Sequence, residues 1–219
     1  MRRSGFAMGL ALGVAGCSHS PPTQFYVLAP SAPASQIAKP YRGAPIRIAT
    51  VDFPPEFDRP ELIDNRSRSE LIVLDFAHWA APIGALARQT LTEDLAARLP
   101  PGQVVDSNAS NLPHRDIDVA ILVLRREGAA TNLELTWTLS PRRGEPSAAG
   151  STQPAGPAIQ AALSAGAGHS ESHTLQMSEP STASGPQDQA DVVGRLLART
   201  ADHIALTLAQ SDPATERAP

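Results

Sequence analysis

The chain has 219 residues, a formal net charge of -4, 42% hydrophobic residues, 21 prolines, 15 glycines and only 4% aromatic residues. That length accommodates one ordinary domain with unstructured extensions, and the high Pro and Gly content with few aromatics confines the packed part to less than the whole chain. Removal of Arg2 and Arg3 with a leader leaves 16 basic against 22 acidic residues, a net charge of -6, which argues against an electrostatic nucleic-acid binder.

Arg2 and Arg3 precede an uncharged run from Ser4 to Gly16 that carries Phe6, Met8, Leu10, Leu12 and Val14. Residues 1–16 therefore read as a secretory signal peptide, too short for a hydrocarbon core that needs roughly 20 residues. The run ends in Val14-Ala15-Gly16-Cys17, the pattern of a bacterial lipobox, and Cys17 is the only cysteine. Cys17 is the expected lipidation site, in preference to an ordinary core thiol after a leader, and its acyl chains would hold the mature protein at a membrane surface. Ser18 stands where Asp marks inner-membrane retention in many Gram-negative lipoproteins. The outer membrane is the expected location, with inner-membrane retention left open.

Residues 17–23, with Pro21-Pro22, form a lipid-bearing tether. Gln24 to Ala29 is a predicted strand, followed by a Pro-rich loop, a second strand over Ile46 to Val51, and a charged elbow from Pro54 to Ile63 containing Asp58, Arg59 and Pro60. Leu71 to Ala77 reads as an interior strand. Trp79 stands just before a helix that begins around Pro82, a residue suited to a first helical turn. That helix, Ala81 to Leu99, places Ile83, Leu86, Ala87, Leu91, Leu95 and Leu99 inward and leaves Arg88, Glu93, Asp94 and Arg98 mostly outward. Gln103 to Asp106 is a further short strand. Ile117 to Leu124 and Asn132 to Leu139 form a hairpin around Glu127-Gly128, with Leu133, Leu135, Trp137 and Leu139 on the buried face.

Of the 30 residues from 141 to 170, 21 are Ala, Gly, Pro or Ser, so this stretch reads as a low-complexity insertion. Ser172 to Met177 is a predicted edge strand. A second helix, Gln187 to Ala209, carries Val193, Leu197, Ala201, Ile204 and Leu208 on one stripe, and residues 211–219 form a polar tail. The whole reads as α+β: a two-layer sandwich in which a mixed sheet of about five short strands carries two amphipathic helices on one face, in a domain over 24–210.

The residues carry little chemistry. Lys39 is the only lysine and lies in a Pro-rich stretch, so neither a phosphate-binding Walker loop nor a buried lysine nucleophile is available. No GxSxG elbow is present. No histidine pair has the HExxH spacing, and His169 and His173 read as exposed residues beside the insertion. Asp116 and Asp118 read as a solvated start to a strand rather than a catalytic dyad. The expectation is a non-enzyme without cofactor or metal. Two stretches exceed what an ordinary core requires: the elbow at Asp58, Arg59 and Pro60, which as structure alone is a turn, and Trp79 with Pro82, which as structure alone staples the helix start to the sheet.

The lipobox, the tether, Phe25-Tyr26-Val27-Leu28, Ile46-Arg47-Ile48, Asp58-Arg59-Pro60-Glu61-Leu62-Ile63 and Trp79-Ala80-Ala81-Pro82-Ile83 occur in this order. Together they resemble the ABC-type transport auxiliary lipoproteins of the PqiC (YmbA) kind, from Cys17 to about Ala209. His78 replaces an Arg frequent in that family, and Ala81 a carboxylate. The resemblance implies a periplasm-facing accessory lipoprotein working with an MCE-domain protein and an ABC permease and ATPase. Such systems move phospholipids or other hydrophobic molecules between inner and outer membranes. It also implies that ATP is hydrolysed by a partner and that a homo-oligomeric ring is a possible assembly. Independently of the resemblance, the exposed elbow at Asp58, Arg59 and Pro60 is the candidate interface, because arginine is enriched among residues that dominate binding. The alternative is an outer-membrane lipoprotein with a structural or envelope-assembly role and no transport partner.

Overall fold

The computed structural model describes residues 21–33, 40–65, 69–106, 113–141, 170–181 and 185–211. Cys17, nearly all of the 141–170 insertion and the tail beyond Ser211 lie outside the described residues.

Along the chain run β1 (Gln24–Tyr26), β2 (Ile46–Asp52), a 3-10 turn (Pro55–Phe57), β3 (Glu61–Asn65), β4 (Leu71–Trp79), α1 (Ile83–Ala96), β5 (Arg115–Glu127), β6 (Ala130–Leu139), β7 (Glu171–Pro180) and α2 (Pro186–Ser211). The expected α+β class holds. The described strands form two mixed sheets rather than one, a three-stranded sheet of order β1-β4-β3 and a four-stranded sheet of order β2-β5-β6-β7. Each sheet contains one parallel pair, β1 with β4 and β2 with β5, and its other pairs are antiparallel.

The alternation of β6 is the backbone of the larger sheet. Leu133, Leu135, Trp137 and Leu139 are buried on one face, while β5 pairs along the other side through a turn at Gly128, whose φ of 62° favours a residue without Cβ. The α2 stripe of Val193, Leu197, Ala201, Ile204 and Leu208 is buried as the spacing predicts, and α1 packs on both α2 and β2.

Several expectations change. The 24–29 strand shortens to β1, and the 103–106 strand reduces to one bridge between Ile46 and Val104. Pro82 precedes the first helical residue of α1 instead of lying inside it. Glu61, Leu62 and Ile63 leave the elbow and begin β3.

Asp94 and Arg98 turn inward rather than outward. The Arg98 side chain is only 1% exposed and bonds Asp202 at 2.7 Å, with a looser 3.5 Å contact to Asp94. Its Nη1 also donates to the carbonyls of Asp94 and Ser31 at 2.7 and 3.2 Å, and Asp94 accepts the Ser31 amide at 2.7 Å. Burial pushes the Asp94 carboxyl above its ordinary range, with the Ser31 amide and then Arg98 acting against that push. One buried guanidinium thus ties α1, α2 and the loop after β1 together, because a charge taken from water must be paired and hydrogen-bonded.

Asp116 is likewise buried rather than solvated, and Arg47 reaches it with two hydrogen bonds of 2.7 and 3.0 Å across β2 and β5. That hydrogen bond, more than the opposing burial, raises the Arg47 pKa.

His173 is not exposed filler either. Its ring stacks on Trp137, its cross-strand partner, with centroids 4.2 Å apart, and His203 of α2 approaches the same indole edge-on at 6.4 Å. Burial, and behind it the like charge of His173, holds the His203 imidazole below its ordinary value of 6.5. Folding therefore favours the neutral ring. Its contribution is intact above the unfolded-state value and is lost as pH falls from there through the lower folded-state value. The melting temperature should fall less steeply in His203→Leu than in the native chain as pH drops from about 7.5 to about 5. Parallel pH profiles would show that this ring does not couple α2 docking to pH.

Candidate interface cleft

The elbow is built by prolines. Pro54 and Pro55 pre-set an extended-to-turn backbone, and the 3-10 turn closes with Phe57 N–H on Pro54 O at 2.9 Å and Asp58 N–H on Pro55 O at 3.1 Å. Phe57 is buried and its ring lies 6.0 Å from that of Phe53. With Phe57 anchored inward, Asp58, Arg59 and Pro60 are exposed.

The helix start is fixed by β4. Trp79 is buried, its N–H donates to Pro60 O at 2.7 Å, and the next amide, Ala80 N–H, donates to Tyr26 O at 2.8 Å. Pro82 then opens α1, its carbonyl accepting the amides of Ala85 and Leu86 at 2.9 and 3.1 Å. Gly84 lets this first turn sit against β2, since a Cβ there would lie 2.7 Å from the Val51 carbonyl oxygen.

These contacts bring both segments singled out in the sequence into one place. The end of β2, the elbow from Pro55 to Pro60, and Trp79 to Gly84 line an open cleft of about 770 Å³. Asp58, Arg59, Pro60, Trp79 and Pro82 all lie on it. Its walls are largely apolar, from Val51, Phe53, Phe57, Trp79 and Ile83, and its rim carries Asp52, Asp58 and Arg59. The Arg59 side chain is 42% exposed and only 3.8 Å from Glu61, too open and too long a pairing to contribute much to stability. An apolar floor with a charged rim is the anatomy of a protein interface.

Two other cavities fit such a role less well. A pocket of about 80 Å³ between β3, β5 and the start of α2 is far below the roughly 300–1,000 Å³ of ordinary ligand pockets. A groove of about 730 Å³ on the larger sheet is walled by Arg125, Glu127, Asn132, Glu134 and Gln176 among others, and is more polar. Among the described residues, no three His, Cys, Asp or Glu side chains are grouped to hold a metal ion, and no helix is long and apolar enough to cross a membrane.

Sequence reasoning did not identify Val51, Phe53 and Gly84 as parts of the same surface. Gly84 stands two residues after Pro82 at the point of closest helix–strand approach, and that spacing was the available signal.

Two crystal structures share the fold. One, of an uncharacterized protein, superposes with a TM-score of 0.56 at 14% identity, covering 86% of this chain and 99% of the other. The second, a Xanthomonas campestris protein of the DUF330 family, gives 0.59 at 15% identity, covering 88% and 99%. No curated protein matches the chain. The family match spans residues 26–205, from the last residue of β1 into α2 and across both segments that form the cleft, and by it the chain belongs to the ABC-type transport auxiliary lipoprotein components.

Proposed function

We propose that this protein is a lipid-anchored, periplasm-facing accessory of an MCE-type ABC transport system that moves phospholipids or other hydrophobic molecules between inner and outer membranes. The convergence of the Asp58-Arg59-Pro60 elbow and the Trp79–Gly84 helix start on one open apolar cleft is the observation that carries the reading. Family membership supplies the transport context, and the family is a transport auxiliary component rather than a known enzyme family. The cleft is the docking surface for the MCE-domain protein. The permease and ATPase of the same system supply the energy. Cys17 holds the protein to the outer membrane through its acyl chains, which contribute about 0.8 kcal/mol per buried methylene.

The anchor and the interface are tested separately. Cys17→Ser is expected to accumulate as an unprocessed precursor that incorporates no labelled acyl chain; normal incorporation into that variant contradicts the assignment. At the cleft, Trp79→Ala is a core truncation and should cost about 3 kcal/mol or more. Arg59→Ala, on the exposed rim, should cost less than about 1 kcal/mol yet clearly weaken capture of the MCE-domain partner, because arginine is enriched among residues that dominate binding. Thermal melts, partner pull-down and light scattering separate the two roles. An Arg59→Ala protein that melts, sizes and captures its partner like the native chain removes the interface assignment.

A further inference from the structure

The smaller sheet turns an apolar surface outward at the end where the chain enters the fold. In β1, Phe25 is 68% exposed, and Val27 just beyond it is 60% exposed. In β4 the register with β3 jumps from Glu61 opposite His78 to Leu62 opposite Leu74, so Asp75, Phe76 and Ala77 form a bulge. The bulge is closed by His78 Nε2–H donating to Asp75 O at 3.2 Å, and it leaves Phe76 46% exposed. Phe25 meets the His78 ring edge-on at 5.9 Å, which joins β1 to the bulge. A bulge re-aims side chains at a sheet's periphery, and large aromatics left outward in a small region mark a contact surface.

The position of the N-terminal segment identifies the occupant. Pro21 and Pro22, the first described residues, line a groove of about 400 Å³ together with Phe76. Cys17 precedes Pro21 by four residues, which at full extension span no more than about 14 Å. An acyl group carried on Cys17 would therefore be held within that reach of Pro21.

We propose that the Phe25, Val27 and Phe76 surface seats in the phospholipid interface of the membrane that carries the anchor, fixing how the domain is oriented on that membrane. This rests on the anchoring reading above. Phe25, Val27 and Phe76 have no polar side-chain atom to keep wet, so they gain by leaving water for the boundary between headgroups and acyl chains, as the apolar face of an interfacial element does. The acyl chains on Cys17 give retention but leave the domain free to turn about the tether, so the second membrane contact contributes orientation. The cleft then holds one direction relative to the membrane instead of rotating about a flexible tether.

The test uses the mature lipoprotein reconstituted into vesicles of phosphatidylethanolamine with phosphatidylglycerol as the minor lipid. The sequence has one cysteine, and acylation occupies its thiol, so Val27→Cys provides a single site for an environment-sensitive fluorophore. Leu122→Cys, exposed on β5 of the other sheet, is the control. Nitroxide-labelled lipid should quench the Val27→Cys probe on the order of threefold more than the control, as expected for insertion to headgroup depth. Adding Phe25→Ser and Phe76→Ser should abolish that difference while leaving the melt unchanged. Equal quenching at the two sites, or a contrast that survives the double substitution, overturns the proposal. So does a concentration-dependent blue shift of the Val27→Cys probe in detergent without vesicles, which would assign the patch to a second copy of the chain. Intact mass of the native protein separates the two readings: an unacylated Cys17 sinks both, whereas an acylated protein without probe contrast sinks the membrane contact alone.

Discussion

Trp79 ends β4 with its indole in the core, its own amide committed to Pro60 and the following amide committed to Tyr26. Those two hydrogen bonds draw the chain ahead of β3 and the end of β1 onto the last residues of β4, so all three strands of the smaller sheet converge at one residue. Four residues later α1 begins, pressed against β2 at Gly84, and β2 belongs to the other sheet. The joint between the sheets is therefore a short stretch in which the Trp79 and Ala80 amides and the Pro82 carbonyl are hydrogen-bonded and the Trp79 and Ile83 side chains are buried. A cavity at such a position cannot collapse without moving several elements, which is why core truncations of aromatics are among the costliest substitutions. The cleft walls inherit that rigidity, while the charges at its rim remain in solvent and free to meet a partner.

The second layer is held by a different device. The Arg98 guanidinium reaches Asp202 of α2 and carbonyls of α1 and of the segment after β1, and Thr90 of α1 donates to the Leu28 carbonyl at 3.2 Å. A buried charge adds little net stability over an apolar replacement, but removing one partner leaves the other uncompensated. The network consequently specifies one relative placement of the helices and the N-terminal strand. This matters for function because β1 carries the exposed Phe25 on one side and accepts the Ala80 amide beside the cleft on the other. The proposed membrane contact and the proposed partner surface are linked through a single three-residue strand.

Where local periodicity decides structure, the amino-acid sequence was sufficient. The β6 alternation and the α2 stripe place their residues in the core as spacing requires. The sequence was insufficient where distant groups decide. Asp94 and Arg98 occupy helix positions that look outward by periodicity, and only the arrival of α2 and Ser31 makes them interior. Asp116 reads as a solvated strand start until Arg47 is brought beside it by a parallel pairing between distant segments. β3 was hidden because Glu61, Asp64 and Asn65 give it a polar signature directly after Pro60. The division into two sheets depends on two parallel pairings of high sequence separation, which no short-range pattern encodes. Both segments of the cleft were conspicuous in the sequence. Their adjacency was not, because it follows from the Trp79–Pro60 hydrogen bond across an unusual β4 register.

Docking of the transport partner in the cleft between the elbow and the helix start is the proposal on which the functional reading rests. The direct measurement is a photo-crosslinking amino acid placed at Ala81, on the cleft wall, and separately at Leu122, on the far sheet, in cells expressing the complete system. The account predicts a light-dependent adduct with the MCE-domain protein from Ala81 and none from Leu122. An adduct from Leu122 alone, or no adduct from Ala81 while the two proteins still co-purify, would contradict it.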